Sequence, residues 1–219
     1  MNSTGLSSRT RGLARPLARS IVVLALLLLA ACEEEVSPTL TPLPPHGLVL
    51  AFGDSLTHGT GVKAEQSYPA VLARLIGRRV LREGKPGELS AGGLKRLPGL
   101  LDRFHPDLLI LIHGGNDFLR RLDSETTEIN IAAMVAEAQA RGIEVLLVSV
   151  PKPGITGATE AGLYRAVAED LRVPLEPDAL EEILGDRELK SDLIHPNARG
   201  YRVLAERIAA ALRKAGALP

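Results

Sequence analysis

The sequence predicts a three-layer α/β sandwich built on a parallel sheet, and two observations carry this. Uninterrupted apolar runs of strand length, such as Leu48–Phe52 and Leu108–Ile112, alternate with longer stretches whose apolar residues recur every three to four positions. The runs also end abruptly in short polar turns, the pattern of strands buried on both faces and joined through helices.

The first run closes on Gly53-Asp54-Ser55. Gly53 permits a sharp exit, and Ser55 emerges at the carboxyl edge of the sheet, where open α/β sheets hold their ligands. Ser67-Tyr68-Pro69 then opens a helix with Val71, Leu72, Leu75 and Ile76 on one face, ending near Gly77. Val80-Leu81 starts a short second strand that leads into the turn-rich Gly84-Lys85-Pro86-Gly87-Glu88. Leu94, Leu97, Leu100 and Leu101 give another helical face, but Gly92, Gly93, Pro98 and Gly99 predict that this helix is broken. The next strand terminates in His113-Gly114-Gly115-Asn116-Asp117, with Asp117 expected to cap the helix that follows.

Ile131, Met134, Val135 and Ala138 mark a helix that stops at Gly142, and Val145–Val150 is a buried strand. A loop over Pro151–Gly157, a helix over Leu163–Leu171 and a brief strand at Val173–Leu175 come next, and Gly185–Ser191 reads as irregular. After Asp192-Leu193-Ile194-His195-Pro196, a final helix carries the stripe Tyr201, Leu204, Ala205, Ile208 and Leu212.

With 45% hydrophobic residues, the chain of 219 suits one domain, spanning 47–219. Its 26 basic and 26 acidic side chains cancel, which argues against a nucleic-acid partner. Residues 1–31 read as a secretion signal. Arg9, Arg11, Arg15 and Arg19 precede an apolar run, Ile21–Ala31, too short to span a bilayer comfortably. The signal ends in Leu29-Ala30-Ala31-Cys32, which resembles the lipobox of bacterial lipoproteins and implies that Cys32 is acylated and becomes the new N-terminus. Residues 32–46, acidic and then rich in proline, are expected to form a tether, of which about thirteen extended residues at ~3.1 Å each would reach roughly 40 Å. The expected location is the cell envelope, on the extracytoplasmic side of a bacterial membrane. Cys32 is the only cysteine, so neither an intramolecular disulfide nor a thiolate metal cluster can form.

Four polar turns carry the candidate chemistry, and the first three follow strands that should end on one edge. A serine hydroxyl needs a base to take its proton, so Ser55 is a candidate nucleophile and His195 a candidate base. Asp192 lies three residues before His195 and can reach its ring if the loop turns once; Asp54 is a second candidate acid, although beside Ser55 it is better suited to holding the turn. Attack on an acyl carbonyl creates an oxyanion that needs fixed donors. The Ser55 and Gly87 amides and the Asn116 side chain are candidates, Gly87 because a missing side chain lets its amide approach closely.

Gly53-Asp54-Ser55-Leu56, Gly87-Glu88, Gly114-Gly115-Asn116-Asp117 and Asp192-Leu193-Ile194-His195-Pro196, in this order, resemble the sequence blocks of the SGNH/GDSL hydrolases. Glu65-Gln66-Ser67-Tyr68-Pro69 and His195-Pro196-Asn197-Ala198-Arg199-Gly200-Tyr201 narrow the resemblance to the bacterial thioesterase I, lysophospholipase L1 and arylesterase subgroup. The resemblance implies a flavodoxin-like sheet of about five parallel strands, a Ser55–His195–Asp192 triad, and an oxyanion hole from Ser55, Gly87 and Asn116. It also implies that no metal or organic cofactor is needed and that small esters, thioesters or lysophospholipids are the substrates; separately, the chain is expected to be a monomer. Three positions depart from the family pattern: His58 stands where many relatives have a small residue, Arg82 where Asn is common, and His113 where an apolar residue is common.

The expected function is therefore that of a membrane-tethered serine hydrolase. The alternatives are a carbohydrate O-acetyl esterase, disfavoured by the lack of Trp and the few Phe and Tyr, and a catalytically idle binding lipoprotein. A nucleotide-binding module is disfavoured because no Gly-x-Gly-x-x-Gly or Walker pattern follows a strand. If Cys32 is the anchor, Cys32→Ser should move the exported protein from the membrane to the soluble fraction; membrane retention equal to the parent's would show that it is not.

Overall fold

The computed structural model describes Met1 and residues 38–154, 157–159 and 162–219. Cys32 and the signal-like leader lie outside the described residues. Five parallel strands form the sheet: β1 (Leu48–Gly53), β2 (Arg79–Gly84), β3 (Leu108–Ile112), β4 (Glu144–Val148) and, beyond a small antiparallel pair β5 (Lys152–Gly154) and β6 (Gly157–Thr159), the short β7 (Leu175–Glu176). Their order is β2-β1-β3-β4-β7, so the chain first winds outward in one direction, then reverses across β1. A ligand crevice is expected at such a reversal, outside the carboxyl ends of β1 and β3.

The central strands are apolar at nearly every position because both faces are covered. Val49 to Phe52 and Leu108 to Ile112 have no solvent exposure. Among the helices, α2 (Tyr68–Ile76) packs against α8 (Ala198–Lys214), while α3 (Ser90–Phe104), α5 (Ser124–Gln139) and α6 (Leu163–Asp170) form a second group. Short helices α1 (Ser55–His58), α4 (Gly115–Leu119) and α7 (Ala179–Gly185) complete the α-helices among the described residues.

Register matters most for function. Gly53 pairs with Gly84 on one side and with Ile112 on the other, so β1, β2 and β3 end level, and the chain leaves all three at the same edge. Both glycines are forced by close approach. A Cβ at Gly53 would run into the Ile112 carbonyl, and one at Gly84 into the backbone of Thr57 and His58, where α1 folds down over β2.

Several expectations need correcting. Helix α3 is continuous from Ser90 to Phe104 despite Pro98. Pro98 has no amide to give the preceding turn, but Leu97 and Leu101 are fully buried, and tertiary packing outweighs the local cost. The loop over Pro151–Gly157 contains β5 and the start of β6, and α7 precedes the segment read as irregular. The described end of the tether, from residue 38, is docked on the domain. Leu40 and Leu43 are buried, with their amides donating to the Ala215 and Ala217 carbonyls at 2.7 and 2.9 Å, while Thr41 bonds Glu144. Two leucines at a three-residue spacing among prolines give too weak a periodic signal to announce this. Among the described residues, no helix is long and apolar enough to cross a membrane.

The fully buried Leu109 in β3 should be intolerant of truncation. Leu109→Ala is expected to lower stability by about 2–5 kcal/mol in denaturant unfolding, and a loss below about 1 kcal/mol would contradict the packing described.

Candidate active site

Ser55 opens α1 directly after β1. Asp54 caps that helix, its Oδ1 accepting the Leu56 amide at 3.0 Å, which fixes the turn that presents the serine. Ser55 Oγ lies 3.0 Å from His195 Nε2, a contact between residues 140 positions apart. On the other side of the ring, His195 Nδ1 is 2.8 Å from Asp192 Oδ2. An ionised carboxylate can only accept, so the ring proton sits on Nδ1 and leaves the Nε2 lone pair facing the serine hydroxyl.

Asp192 is itself held in place. Its Oδ1 accepts the Ile194 and His195 amides, both at 2.8 Å. Burial works against its charge, but the hydrogen bonds from the His195 ring and these amides outweigh it and keep the carboxyl below its usual range. The loop is closed by the Ser191 amide donating to the His195 carbonyl at 3.0 Å. It is anchored by Asn197, which caps α8 through the Arg199 and Gly200 amides and donates its own side chain to the Glu188 and Lys190 carbonyls.

The candidate oxyanion donors come from the two neighbouring strands. Lys85-Pro86-Gly87-Glu88 follows β2, with the Glu88 amide donating to the Lys85 carbonyl at 3.2 Å and Gly87 at φ +75°. Proline second and a positive-φ glycine third is the pattern of a type II turn. A Cβ on Gly87 would meet no protein atom within 4 Å, and the positive φ is what favours glycine at this position. Asn116 lies in the first turn of α4, after β3. Its Nδ2 donates to Asp54 Oδ2 at 3.0 Å and to the Glu88 carbonyl at 3.1 Å, so both amide protons have acceptors. Asp54 therefore pairs with Asn116 and the α1 backbone, while the carboxylate against the His195 ring belongs to Asp192. Burial pushes the Asp54 carboxyl up, against the opposing pull of His113, the Leu56 amide, His195 and Asn116.

A buried charged cluster, missed in the sequence, lies behind these loops. The Glu88 carboxylate is nearly fully buried and receives Arg96 through Nε at 3.0 and 3.1 Å and through Nη2 at 2.6 Å. Arg96 also donates to the Gly53 carbonyl at 3.2 Å and stacks over the Phe52 ring at 4.2 Å. His113, fully buried, accepts the Gly114 amide on Nδ1 at 2.9 Å, so Nε2 carries the proton and faces Glu88 Oε2 at 3.4 Å. The adjacent glycines of α3 were the available clue. A Cβ on Gly93 would lie 2.5 Å from His113 Nε2, so its glycine makes room for the imidazole.

The other departures lie to one side. His58 is exposed, and Arg82 donates to the His58 carbonyl at 2.9 Å, leaving the Gly87 turn to Glu88 and Arg96. Asp117 does not cap the helix that follows. Its carboxylate accepts the Ser90 amide and hydroxyl at 2.9 and 2.6 Å, capping α3 across space. Among the described residues, no group of three or more His, Cys, Asp or Glu is placed to hold a metal ion.

Burial opposes the Glu88 charge, but His113 and Arg96 outweigh it and hold its pKa down at about 2, against an ordinary value of 4.5. A depressed carboxyl stabilises the fold fully above about pH 4.5, and this contribution is lost as pH falls toward 2. The stability gap between the parent and Glu88→Gln should therefore shrink across that window in denaturant titrations; a gap independent of pH would show that the charge is not held this way.

Residues 51–203 match the model of the GDSL-like lipase/acylhydrolase family. The chain is 32% identical over 192 residues to the esterase TesA of Pseudomonas aeruginosa, covering 83% of this chain and 94% of that protein. It is 31% identical over 172 residues to thioesterase 1/protease 1/lysophospholipase L1 of Escherichia coli K12, covering 75% and 83%. Among solved structures, AlinE4, described as an SGNH-hydrolase family esterase, superposes with a TM-score of 0.61 at 34% identity, over 78% of this chain and 97% of that one. The chain thus belongs to the GDSL-like lipase/acylhydrolase family.

Proposed function

We propose that the chain is a serine hydrolase of carboxylic esters and thioesters, of the arylesterase, thioesterase or lysophospholipase type, held outside the cytoplasm by lipidated Cys32. The observation that carries the catalytic part is the unbroken line Ser55 Oγ–His195 Nε2 at 3.0 Å and His195 Nδ1–Asp192 Oδ2 at 2.8 Å. The location rests on the leader, the lipobox-like Leu29–Cys32 and the acidic, proline-rich segment after it.

Ser55 Oγ attacks the acyl carbonyl carbon as its proton passes to His195 Nε2. Asp192 stabilises the resulting imidazolium and keeps the ring oriented. The carbonyl π electrons move to oxygen, and the oxyanion takes hydrogen bonds from the Ser55 and Gly87 amides and from Asn116 Nδ2. For Asn116, one proton turns from its present acceptor to the oxyanion as charge develops. Collapse breaks the bond to the leaving oxygen or sulfur, which receives the proton from His195. Water, deprotonated by the same ring, then cleaves the acyl-serine and restores Ser55.

Beside Asn116, Phe118, Leu119, Arg121, Leu122 and Lys152 line a depression, with Leu119 and Leu122 exposed. An apolar wall next to an oxyanion donor suits the acyl half of the substrate.

On p-nitrophenyl butyrate, Ser55→Ala should abolish turnover in a folded protein. Asn116→Ala should lower kcat by about 10²–10³ with a smaller effect on KM. Parent-like turnover in either variant would overturn the role given to that residue.

A further inference from the structure

The oxyanion donors are only as useful as their fixed position, since catalysis of this kind depends on donors that do not reorganise during the reaction. Gly87 stands on an exposed turn at the edge of the sheet, on β2, while Asn116 stands on α4, after the central strand β3. Of the turn residues Lys85 to Glu88, it is Glu88 that bonds Asn116, through its carbonyl. Resting on the hydrolase reading above, we infer that Glu88, clamped by Arg96 and His113, is the positioning residue that sets the Gly87 amide and the Asn116 side chain in one frame.

Glu88 reaches both donors at once. It follows Gly87 directly, so fixing Glu88 fixes the peptide next to the donor, and its carbonyl accepts Asn116 Nδ2 at 3.1 Å. Its side chain points inward to a rigid seat. The Arg96 fork holds the carboxylate at 2.6 to 3.1 Å, and Arg96 is itself held by the Gly53 carbonyl, at the end of the strand that delivers Ser55, and by the Phe52 ring. The third strand joins through His113, the residue after β3, whose Nε2 faces Glu88 while its carbonyl accepts the Tyr164 hydroxyl at 2.6 Å. All three donor-bearing strand ends are thus tied to one carboxylate. Lys85 stands 3.5 Å from the same carboxylate but is largely exposed and adds little.

The cluster is also expensive unless fully paired. A carboxylate taken out of water needs its charge and lone pairs matched, and truncating one member leaves the rest uncompensated. A fully satisfied network of this kind permits a single arrangement, which is what the donors require.

The test uses Glu88→Ala, Glu88→Gln and His113→Leu in the full chain, with kcat and KM on p-nitrophenyl butyrate. It adds inhibition by butylboronic acid, whose tetrahedral adduct with Ser55 places an oxygen where the oxyanion forms. Glu88→Ala is expected to lower kcat about 10- to 100-fold with KM within about twofold, and to weaken boronate binding by a similar factor. Glu88→Gln, which keeps an acceptor for Arg96, should recover part of the loss, and His113→Leu should shift both readouts in the same direction by less. If Glu88→Ala does not fold, Arg96→Lys, which keeps the charge and loses the fork, takes its place with the same expectation. Parent-like kcat and boronate affinity in a folded variant would overturn the inference, as would a kcat loss without weaker boronate binding. Failure of the unmodified protein to hydrolyse any ester or thioester would instead overturn the hydrolase reading.

Discussion

The level ending of three parallel strands is the constraint on which the rest depends. Because Gly53 is in register with both Gly84 and Ile112, the residues that follow each strand emerge side by side, and a serine, a glycine turn and an asparagine from distant parts of the sequence share one small volume. A slip of one residue in either pairing would turn every side chain of the slipped strand to the opposite face. The close approaches at Gly53 and Gly84 leave no room for the side chains that a slip would bring there, so the same packing that closes the sheet also aligns the candidate chemistry.

The fourth component arrives by another route. His195 is not on a strand end; it reaches Ser55 from a loop before the last helix, held by the backbone bonds of Ser191 and the side chain of Asn197. That loop is rigid enough to place an imidazole at hydrogen-bond distance from a residue 140 positions away. Asp192 contributes twice, through one oxygen to the ring and through the other to the amides of the loop that carries the ring.

Local pattern was enough to read the sheet and its polar turns, because buried parallel strands are apolar at every position and their exits are not. Ser55, Gly87 and Asn116 stood out at those exits, whereas Asp192 and His195 stood out by their three-residue spacing in a polar turn before the last helix. What local pattern could not show was how distant segments compensate one another. Helix α3 looked broken because Gly93 and Pro98 are poor helix formers, yet Gly93 is there to admit His113, and Leu97 and Leu101 hold the helix through Pro98. Asp117 looked like a local cap and serves a helix that precedes it in the chain. Glu88 and Arg96 look like ordinary surface charges until the fold brings Arg96 under the Gly87 turn. Leu40 and Leu43, in a segment read as tether, are drawn onto the domain by the C-terminal residues.

The central claim is that Ser55 is the activated nucleophile of this site. A fluorophosphonate tests it most directly, since only a serine whose proton is taken by a neighbouring base displaces fluoride at an appreciable rate and forms a stable phosphonyl ester. After brief treatment of the folded protein, mass spectrometry of its peptides should find one adduct, on Ser55, that does not form after unfolding. An unmodified Ser55, or modification of another serine instead, would contradict the assignment.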